Sequence, residues 1–217
     1  MGVIPFYGAA HRRLFDIERA AMDRSGRVLA ALDELLPQRG LVLDVGAGDG
    51  FTAERLATRE RTVIALEPAE GMRRPERPIL WTGGEAEHLP LHSASVDAAY
   101  STWAYFFSRN WDPTPGLQEL DRVVRPGGQI AIVDNLGDDE FTALAPDPTA
   151  LTADPEFWKG QGFDCTVIHT AFEFDSPTDA DELLTLYFGP DAQHRDRLRL
   201  TYRVGLFTRP SHGPARR

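Results

Sequence analysis

The residues best suited to ligand chemistry form a glycine-rich segment, Asp44-Val45-Gly46-Ala47-Gly48-Asp49-Gly50. A buried-strand pattern at 41–45 leads into it, and a helix-forming run at 52–58 follows. Glycine permits a tight turn and close backbone approach to a ligand, and the start of a helix offers unpaired N–H groups. A plain turn could use the same glycines, so ligand binding is one of two interpretations of this segment alone.

The glycine spacing indicates which ligand such a loop would hold. A dinucleotide site has the pattern G-x-G-x-x-G, with the helix start facing a pyrophosphate. Here the pattern is G-x-G-x-G, and Phe51 occupies the third dinucleotide position. Asp44 places a carboxylate two residues before the first glycine. A negative group there suits a cationic, amino-bearing ligand better than a pyrophosphate.

A second acidic residue, Glu67, ends a predicted strand at 62–66. A carboxylate at the end of the second strand can accept two hydrogen bonds from a ribose diol. The alternative is a helix N-terminal charge that precedes Pro68. Glu67 is therefore a candidate ribose ligand whose assignment depends on the first motif.

Five segments between residues 42 and 134 resemble, in order, the motifs of class I S-adenosylmethionine-dependent methyltransferases. The likeness is to the small-molecule branch similar to ubiquinone/menaquinone biosynthesis methyltransferases (methyltransferase type 11-like). The segments are Leu43-Asp44-Val45-Gly46-Ala47-Gly48-Asp49-Gly50, Glu67-Pro68-Ala69-Glu70-Gly71-Met72, Gly84-Glu85-Ala86-Glu87-His88-Leu89-Pro90, Val96-Asp97-Ala98-Ala99-Tyr100 and Glu119-Leu120-Asp121-Arg122-Val123-Val124-Arg125-Pro126-Gly127-Gly128. Each segment is weak alone, and their order makes the resemblance specific.

The resemblance implies S-adenosylmethionine as cofactor and S-adenosylhomocysteine as product. It implies a glycine loop under the methionine part, Glu67 at the ribose and Met72 near the adenine. The cofactor-binding residues implied in this way are Asp44, Gly46, Ala47, Gly48, Gly50, Glu67, Pro68, Met72, Gly84, Glu85, Ala86, Ser101 and Thr102. Asp49 and Glu85 depart from the residues most common at their positions. Many relatives carry a histidine pair where this chain has Phe106 and Phe107, so no general base transfers to those positions.

The acceptor is expected at the carboxyl ends of the strands, where open α/β sheets bind ligands. Asp134 is the candidate general base by position, and a loop-orienting carboxylate is the alternative role for it. The candidate acceptor contacts are Tyr7, His11, Trp103, Tyr105, Phe106, Phe107 and Asn135. The aromatic residues among them could equally pack in the core.

Strands alternate with helices along the chain, which predicts an α/β, Rossmann-like, doubly wound fold. We expect a mostly parallel seven-stranded sheet with an antiparallel C-terminal edge strand, because strands at 163–174 and 198–207 should pair antiparallel. Residues 1–217 are expected to form one methyltransferase domain. Its predicted parts are an N-terminal helical lid (1–36), a cofactor-binding core (41–134), an acidic flap (135–160), and C-terminal strands with a helix (163–208).

Composition restricts the partners. The net charge of −10 with no basic stripe disfavours nucleic acid. The single cysteine, Cys165, excludes an internal disulfide, and no Cys/His pair has metal-ligand spacing, so no metal is expected. No apolar run approaches a membrane span, and the first ten residues lack a signal-peptide pattern, so a cytoplasmic location is expected.

The sequence thus predicts in-line methyl transfer to a small organic acceptor, with O-, N- and C-methylation all open and the oligomeric state unknown. Two alternatives remain. A nucleotide- or NAD-binding Rossmann enzyme is disfavoured by the missing third glycine position. A protein that binds S-adenosylmethionine without methylating would share the same motifs.

Overall fold

The computed structural model describes residues 11–104, 106, 112–190 and 197–214. Within these ranges the helices are α1 (Arg12–Ala21), α2 (Arg27–Leu35), α3 (Phe51–Leu56), α4 (Thr114–Val123), α5 (Pro155–Gly160) and α6 (Pro177–Phe188). The strands are β1 (Gly40–Val45), β2 (Arg61–Leu66), β3 (Leu80–Thr82), β4 (Val96–Thr102), β5 (Val124–Asn135), β6 (Asp164–Glu173) and β7 (Arg199–Pro210). Short 3₁₀ turns lie at Glu70–Met72, Thr142–Leu144 and Pro148–Leu151.

The described strands form one seven-stranded sheet in the order β3-β2-β1-β4-β5-β7-β6. The pairs from β3 to β5 are parallel, and β7 runs antiparallel to both β5 and β6. The prediction of a mostly parallel, doubly wound sheet with an antiparallel C-terminal strand is confirmed. That strand lies one place inside the edge, because β7 pairs with β5 on one side and with β6 on the other.

Each face of the sheet carries its own apolar layer, because neighbouring residues of a strand point to opposite faces. Val42 belongs to the layer that includes Leu32 of α2 and Leu183 of α6. Leu43 belongs to the opposite layer, with Leu120 of α4. The central strands are therefore apolar on both faces, which leaves their carboxyl ends as the place where polar side chains can collect.

The N-terminal helices and the end of the acidic segment both contact the two C-terminal strands, on opposite faces of the sheet. The predicted helical region breaks between α1 and α2, where Gly26 has φ 70°. There Met22 forms a bridge with Phe172 of β6. The acidic segment predicted as a flap contains two 3₁₀ turns and α5. Trp158 of α5 is fully buried and stacks on Phe207, so the end of this segment is fixed to the core.

Across the described residues, every helix is too short or too polar to cross a lipid bilayer.

Candidate cofactor and acceptor site

The glycine-rich loop links β1 to α3 with a backbone that glycine accommodates best. Gly46, Gly48 and Gly50 have φ values of 75°, 56° and 77°. A Cβ on Gly50 would lie 2.7 Å from side-chain carbons of Ile79 and Trp81. Both the positive φ and the close packing therefore restrict this position to glycine. The result is a tight loop at the carboxyl end of β1.

Asp44 lies fully buried beneath this loop. Its Oδ2 accepts a 2.9 Å hydrogen bond from the Tyr100 hydroxyl, while Oδ1 has no hydrogen-bond partner in the described part of the chain. Burial raises the pKa of Asp44 to about 7, although the Tyr100 bond opposes the rise. A buried carboxylate oxygen without a donor is costly to the fold. A cationic donor brought by a ligand would satisfy it and would favour the ionised form.

Glu67 ties the glycine loop to the end of β2. Its Oε2 accepts from the Gly48 N–H at 2.9 Å, and its Oε1 accepts from the Ala69 N–H at 2.8 Å. Arg73 donates to the Glu67 carbonyl at 2.6 and 2.8 Å. Burial raises the pKa of Glu67, and the two backbone hydrogen bonds lower it. Each carboxylate oxygen retains a second lone pair, so Glu67 can hold the loop and still accept from a diol.

Met72 closes the space above the glycine loop together with a residue that the sequence analysis did not select. Met72 and Phe15 of α1 are both buried. A Cβ on Gly48 would lie 3.9 Å from the Met72 Cε and 3.8 Å from the Phe15 Cζ. The N-terminal lid predicted over residues 1–36 includes Phe15, but no local pattern indicated that this side chain lies over the loop.

The remaining predicted cofactor residues lie around the same strand ends. Ser101 of β4 is buried and donates to the Val45 carbonyl at 2.8 Å, which joins β4 to the loop. Ala86 is buried, and the backbone of Glu85 pairs with that of His88. The other members of the set are Ala47, which is buried, Pro68, which follows Glu67, Gly84, which packs near Pro90, and Thr102, which ends β4.

Asp49, the unusual residue of the first motif, is explained by its partners. It is buried and accepts from Arg77 at 2.9 Å and from the Phe51 N–H at 3.1 Å. The Nη2 of Arg19 in α1 lies 3.6 Å from the Asp49 oxygen that accepts from Phe51. These contacts could not be predicted from the sequence, because Arg19 and Arg77 lie 30 and 28 positions away from Asp49.

A cavity of about 300 Å³ lies next to the loop. It is lined by the end of α1, the start of α2, the first turn of α3 and the end of β4. Thr102 and Trp103 supply its β4 side, and Arg19 and Phe51 lie opposite on the helices. The volume is at the lower end of the range usual for small-molecule sites, roughly 300–1,000 Å³. This cavity is the candidate acceptor site.

Polar residues at the end of β5 lie next to Tyr202 of β7, which contacts Trp103. Asp134 is buried, its Oδ1 accepts from the Asn135 N–H at 2.7 Å, and burial raises its pKa to about 8. Tyr202, which the sequence analysis missed, is buried, hydrogen-bonds to the Asn135 side chain and stacks on Trp103 at 6.4 Å. Because its pKa lies near 8, the ionised fraction of Asp134, which alone could act as a general base, grows as pH rises toward and past 8.

Asn135, one of the predicted acceptor contacts, is not among the described residues that line the cavity. The other predicted contacts separate into three groups. Tyr7, Tyr105 and Phe107 lie outside the described residues. Trp103 lines the cavity. Phe106 is buried in the apolar layer that contains Leu120, and His11 is exposed at the start of α1. Neither Phe106 nor His11 is among the described residues that line the cavity, because one faces the core and the other faces solvent.

The family with the description "Methyltransferase domain" matches residues 43–132, the stretch that carries the loop, Glu67 and β4. Several curated proteins align with about half of this chain. The biotin biosynthesis bifunctional protein BioHC of Cellvibrio japonicus is 40% identical over 117 residues, 50% of this chain and 22% of its own length. A demethylmenaquinone methyltransferase of Beutenbergia cavernae is 35% identical over 127 residues, 55% of this chain and 50% of its own.

The fold also recurs among solved structures. A SAM-dependent methyltransferase from Thermotoga maritima superimposes with a TM-score of 0.58 at 18% identity, covering 94% of each chain. This likeness confirms the Rossmann-like class of the fold. The chain spans half or less of the length of the two curated relatives named above.

Proposed function

We propose that this chain, whose residues 43–132 match the methyltransferase-domain family, transfers a methyl group from S-adenosylmethionine to a small organic molecule. The observation that supports the proposal most directly is Asp44. Its unpartnered Oδ1 lies buried under a loop with three positive-φ glycines. That arrangement suits a ligand which brings an ammonium group and needs close backbone approach.

The cofactor would contact residues that the strand ends already bring together. Asp44 would accept from the amino group, Glu67 would accept from the ribose hydroxyls, and Met72 would pack against the adenine. When bound, the cofactor supplies a methyl group on a positively charged sulfur, which is open to in-line attack. The chain's task is then to align the acceptor and exclude water, and alignment alone can supply roughly 7–11 kcal/mol.

The acceptor would occupy the cavity beside Thr102 and Trp103. Its modest volume suits a small molecule, and the name of the Beutenbergia relative likewise denotes a small organic substrate for that protein. We propose that α1 and α2 cover this cavity as a lid. We also propose that residues 135–160 act as a flap, with Asn135 at its base.

Calorimetry tests the cofactor assignment. We expect S-adenosylhomocysteine to bind and NADH not to bind. Glu67→Ala should weaken S-adenosylhomocysteine binding by about 1–3 kcal/mol, since a charged acceptor is lost. Glu60→Gln serves as the control, because Glu60 is an exposed carboxylate just before β2. NADH binding without S-adenosylhomocysteine binding would contradict the proposal.

A second experiment separates methyl transfer from binding alone. The protein is incubated with a small-molecule extract and cofactor labelled on the methyl group, and the products are identified by mass. We expect a labelled small molecule to form. Tight cofactor binding with no labelled product from any extract would favour the alternative of a binding protein that does not methylate.

A further inference from the structure

The candidate acceptor cavity is rich in positive charge, although the protein carries a net charge of −10. Arg19, Arg24 and Arg55 all line it. The rest of the lining is largely apolar and includes Leu29 and Leu32 of α2. A cavity with this lining suits a ligand that has an anionic group on an apolar body.

Two of the charges that line the cavity are already compensated. Arg24 forms a 2.9 Å ion pair with Asp175. Asp23, the cavity's carboxylate, accepts from the N–H groups of Arg27 and Val28 at 3.1 and 2.8 Å and from the Thr170 hydroxyl at 2.6 Å. Neither side chain needs a ligand.

Arg19 differs from them. Its Nε is buried and has no hydrogen-bond partner among the described residues. Its Nη2 lies 3.6 Å from Asp49, whose oxygens already accept from Arg77 and the Phe51 N–H. A buried guanidinium N–H without an acceptor is costly. Because the Nε atom is closed to solvent, a ligand oxygen in the cavity would reach the Nη groups of this side chain, which is 20% exposed.

Aromatic rings hold the Arg19 guanidinium in place. Its central carbon lies 5.1 Å from the Phe15 ring centroid and 5.0 Å from that of Phe51. Arg55 lies 3.4 Å from the same Phe51 ring and donates to the Phe51 carbonyl. A guanidinium fixed in this way has already lost much of its conformational freedom, and its planar fork matches the two oxygens of a carboxylate.

We propose that Arg19 binds a carboxylate of the methyl acceptor, which makes the acceptor a small organic carboxylate with an apolar body. This inference rests on the proposed function and narrows its substrate class. The apolar body would contact Leu29 and Trp103, and the carboxylate would lie between the guanidinium and the first turn of α3.

The cofactor carries a carboxylate of its own, so the experiment must distinguish the two sources. The binding probes are 3-phenylpropionate, 4-phenylbutyrate and octanoate, each paired with its uncharged primary amide. They are titrated into the protein saturated with S-adenosylhomocysteine. Separate titrations use S-adenosylhomocysteine alone and methylthioadenosine, which lacks the amino-acid part.

We expect at least one carboxylate to bind and to bind at least tenfold more tightly than its amide. Arg19→Gln should weaken that carboxylate about 10- to 100-fold, the loss expected for a hydrogen bond to a charged group. The same variant should leave the affinity for S-adenosylhomocysteine within about twofold of the wild type. Arg12→Gln is the matched control, because Arg12 is an exposed arginine on the same helix and is absent from the cavity lining.

Two results would overturn the inference. One is that no carboxylate binds more tightly than its amide. The other is that Arg19→Gln weakens S-adenosylhomocysteine but not methylthioadenosine, which would assign the guanidinium to the cofactor. Failure of the proposed function is visible separately, as failure of the wild-type protein to bind S-adenosylhomocysteine. Circular dichroism verifies that both variants are folded.

Discussion

At the scale of single residues, Gly50 of the glycine loop is constrained both by its positive φ and by close packing, and mutation can separate these two effects. Gly50 and Gly127 have nearly the same φ, 77° and 80°. A Cβ on Gly50 would collide with Ile79 and Trp81, whereas a Cβ on Gly127 would meet no atom within 4 Å. The two positions therefore differ in packing and not in backbone strain.

We expect Gly127→Ala to lower the free energy of unfolding by about 1 kcal/mol through strain alone. Gly50→Ala should cost about 1–3 kcal/mol more, because a crowded side chain must move. Urea unfolding of both variants measures the difference. Equal losses would mean that Ile79 and Trp81 move aside freely.

Asp134 offers a second test at this scale, since its assignment as a base remains a prediction. If Asp134 is the base, the methylation rate should rise with pH and level off above about pH 8, where the carboxyl is ionised. Asp134→Asn should then lower the rate and remove this pH dependence while leaving cofactor affinity nearly unchanged. A variant whose acceptor affinity falls more than its rate would indicate a positioning role.

At the scale of elements, one ion pair joins α4 to the end of β7. Arg209 is buried and donates to both oxygens of Asp121 at 2.8 Å. The N–H of His212 also donates to Asp121, at 3.0 Å. Together these bonds hold the end of β7 against the helix that precedes β5.

We expect Arg209→Met to lower the free energy of unfolding by about 2–4 kcal/mol, because Asp121 loses the cation that compensates its partial burial. Arg199→Met is the control, since Arg199 lies on the same strand as Arg209 and forms an exposed pair with Glu173 of β6. A loss below about 1 kcal/mol is expected there. Chemical denaturation measures both. Similar losses in the two variants would show that burial of the Arg209 pair adds nothing.

The strands and helices were largely predictable because local patterns encode them. Apolar runs such as 41–45 and 62–66 indicated buried strands, and Pro126, Gly127 and Gly128 indicated that the helix before them ends, as α4 does at Val123. The placement of β7 between β5 and β6 was not predictable, since β6 and β7 show the same alternation of apolar and polar residues. Long-range contacts were also missed, such as those of Arg19 with Asp49 and of Tyr202 with Asn135, because no local pattern specifies them.

At the scale of the whole molecule, the buried acids make stability depend on pH. Burial raises the pKa of Asp44 to about 7 and that of Asp134 to about 8, whereas an unfolded aspartate titrates near about 3.9. Between about pH 4 and pH 8 the folded protein retains protons that the unfolded chain has released. The free energy of unfolding contributed by these groups therefore falls as pH rises through this window.

Asp134→Asn should remove the part of this dependence that comes from Asp134. Relative to the wild type, the variant is expected to gain stability at about pH 8 compared with about pH 5, because its amide has no proton to lose. Urea unfolding at the two pH values gives the comparison. A constant difference between variant and wild type would mean that Asp134 titrates normally in the folded protein.

The insertion of β7 between β5 and β6 has a consequence for how the chain folds during synthesis. The ribosome completes β6 before β7, yet β7 is the only strand among the described residues that pairs with β6, whose other pairing is the isolated bridge of Phe172 to Met22. Residues 164–173 therefore have no strand to pair with until residues 199–210 have been synthesised and have left the ribosome. The strands from β1 to β5 pair among themselves and can assemble first. Amide exchange on a truncated chain that ends near residue 198, free of the ribosome, should show protection in β1 and β4 and none in β6.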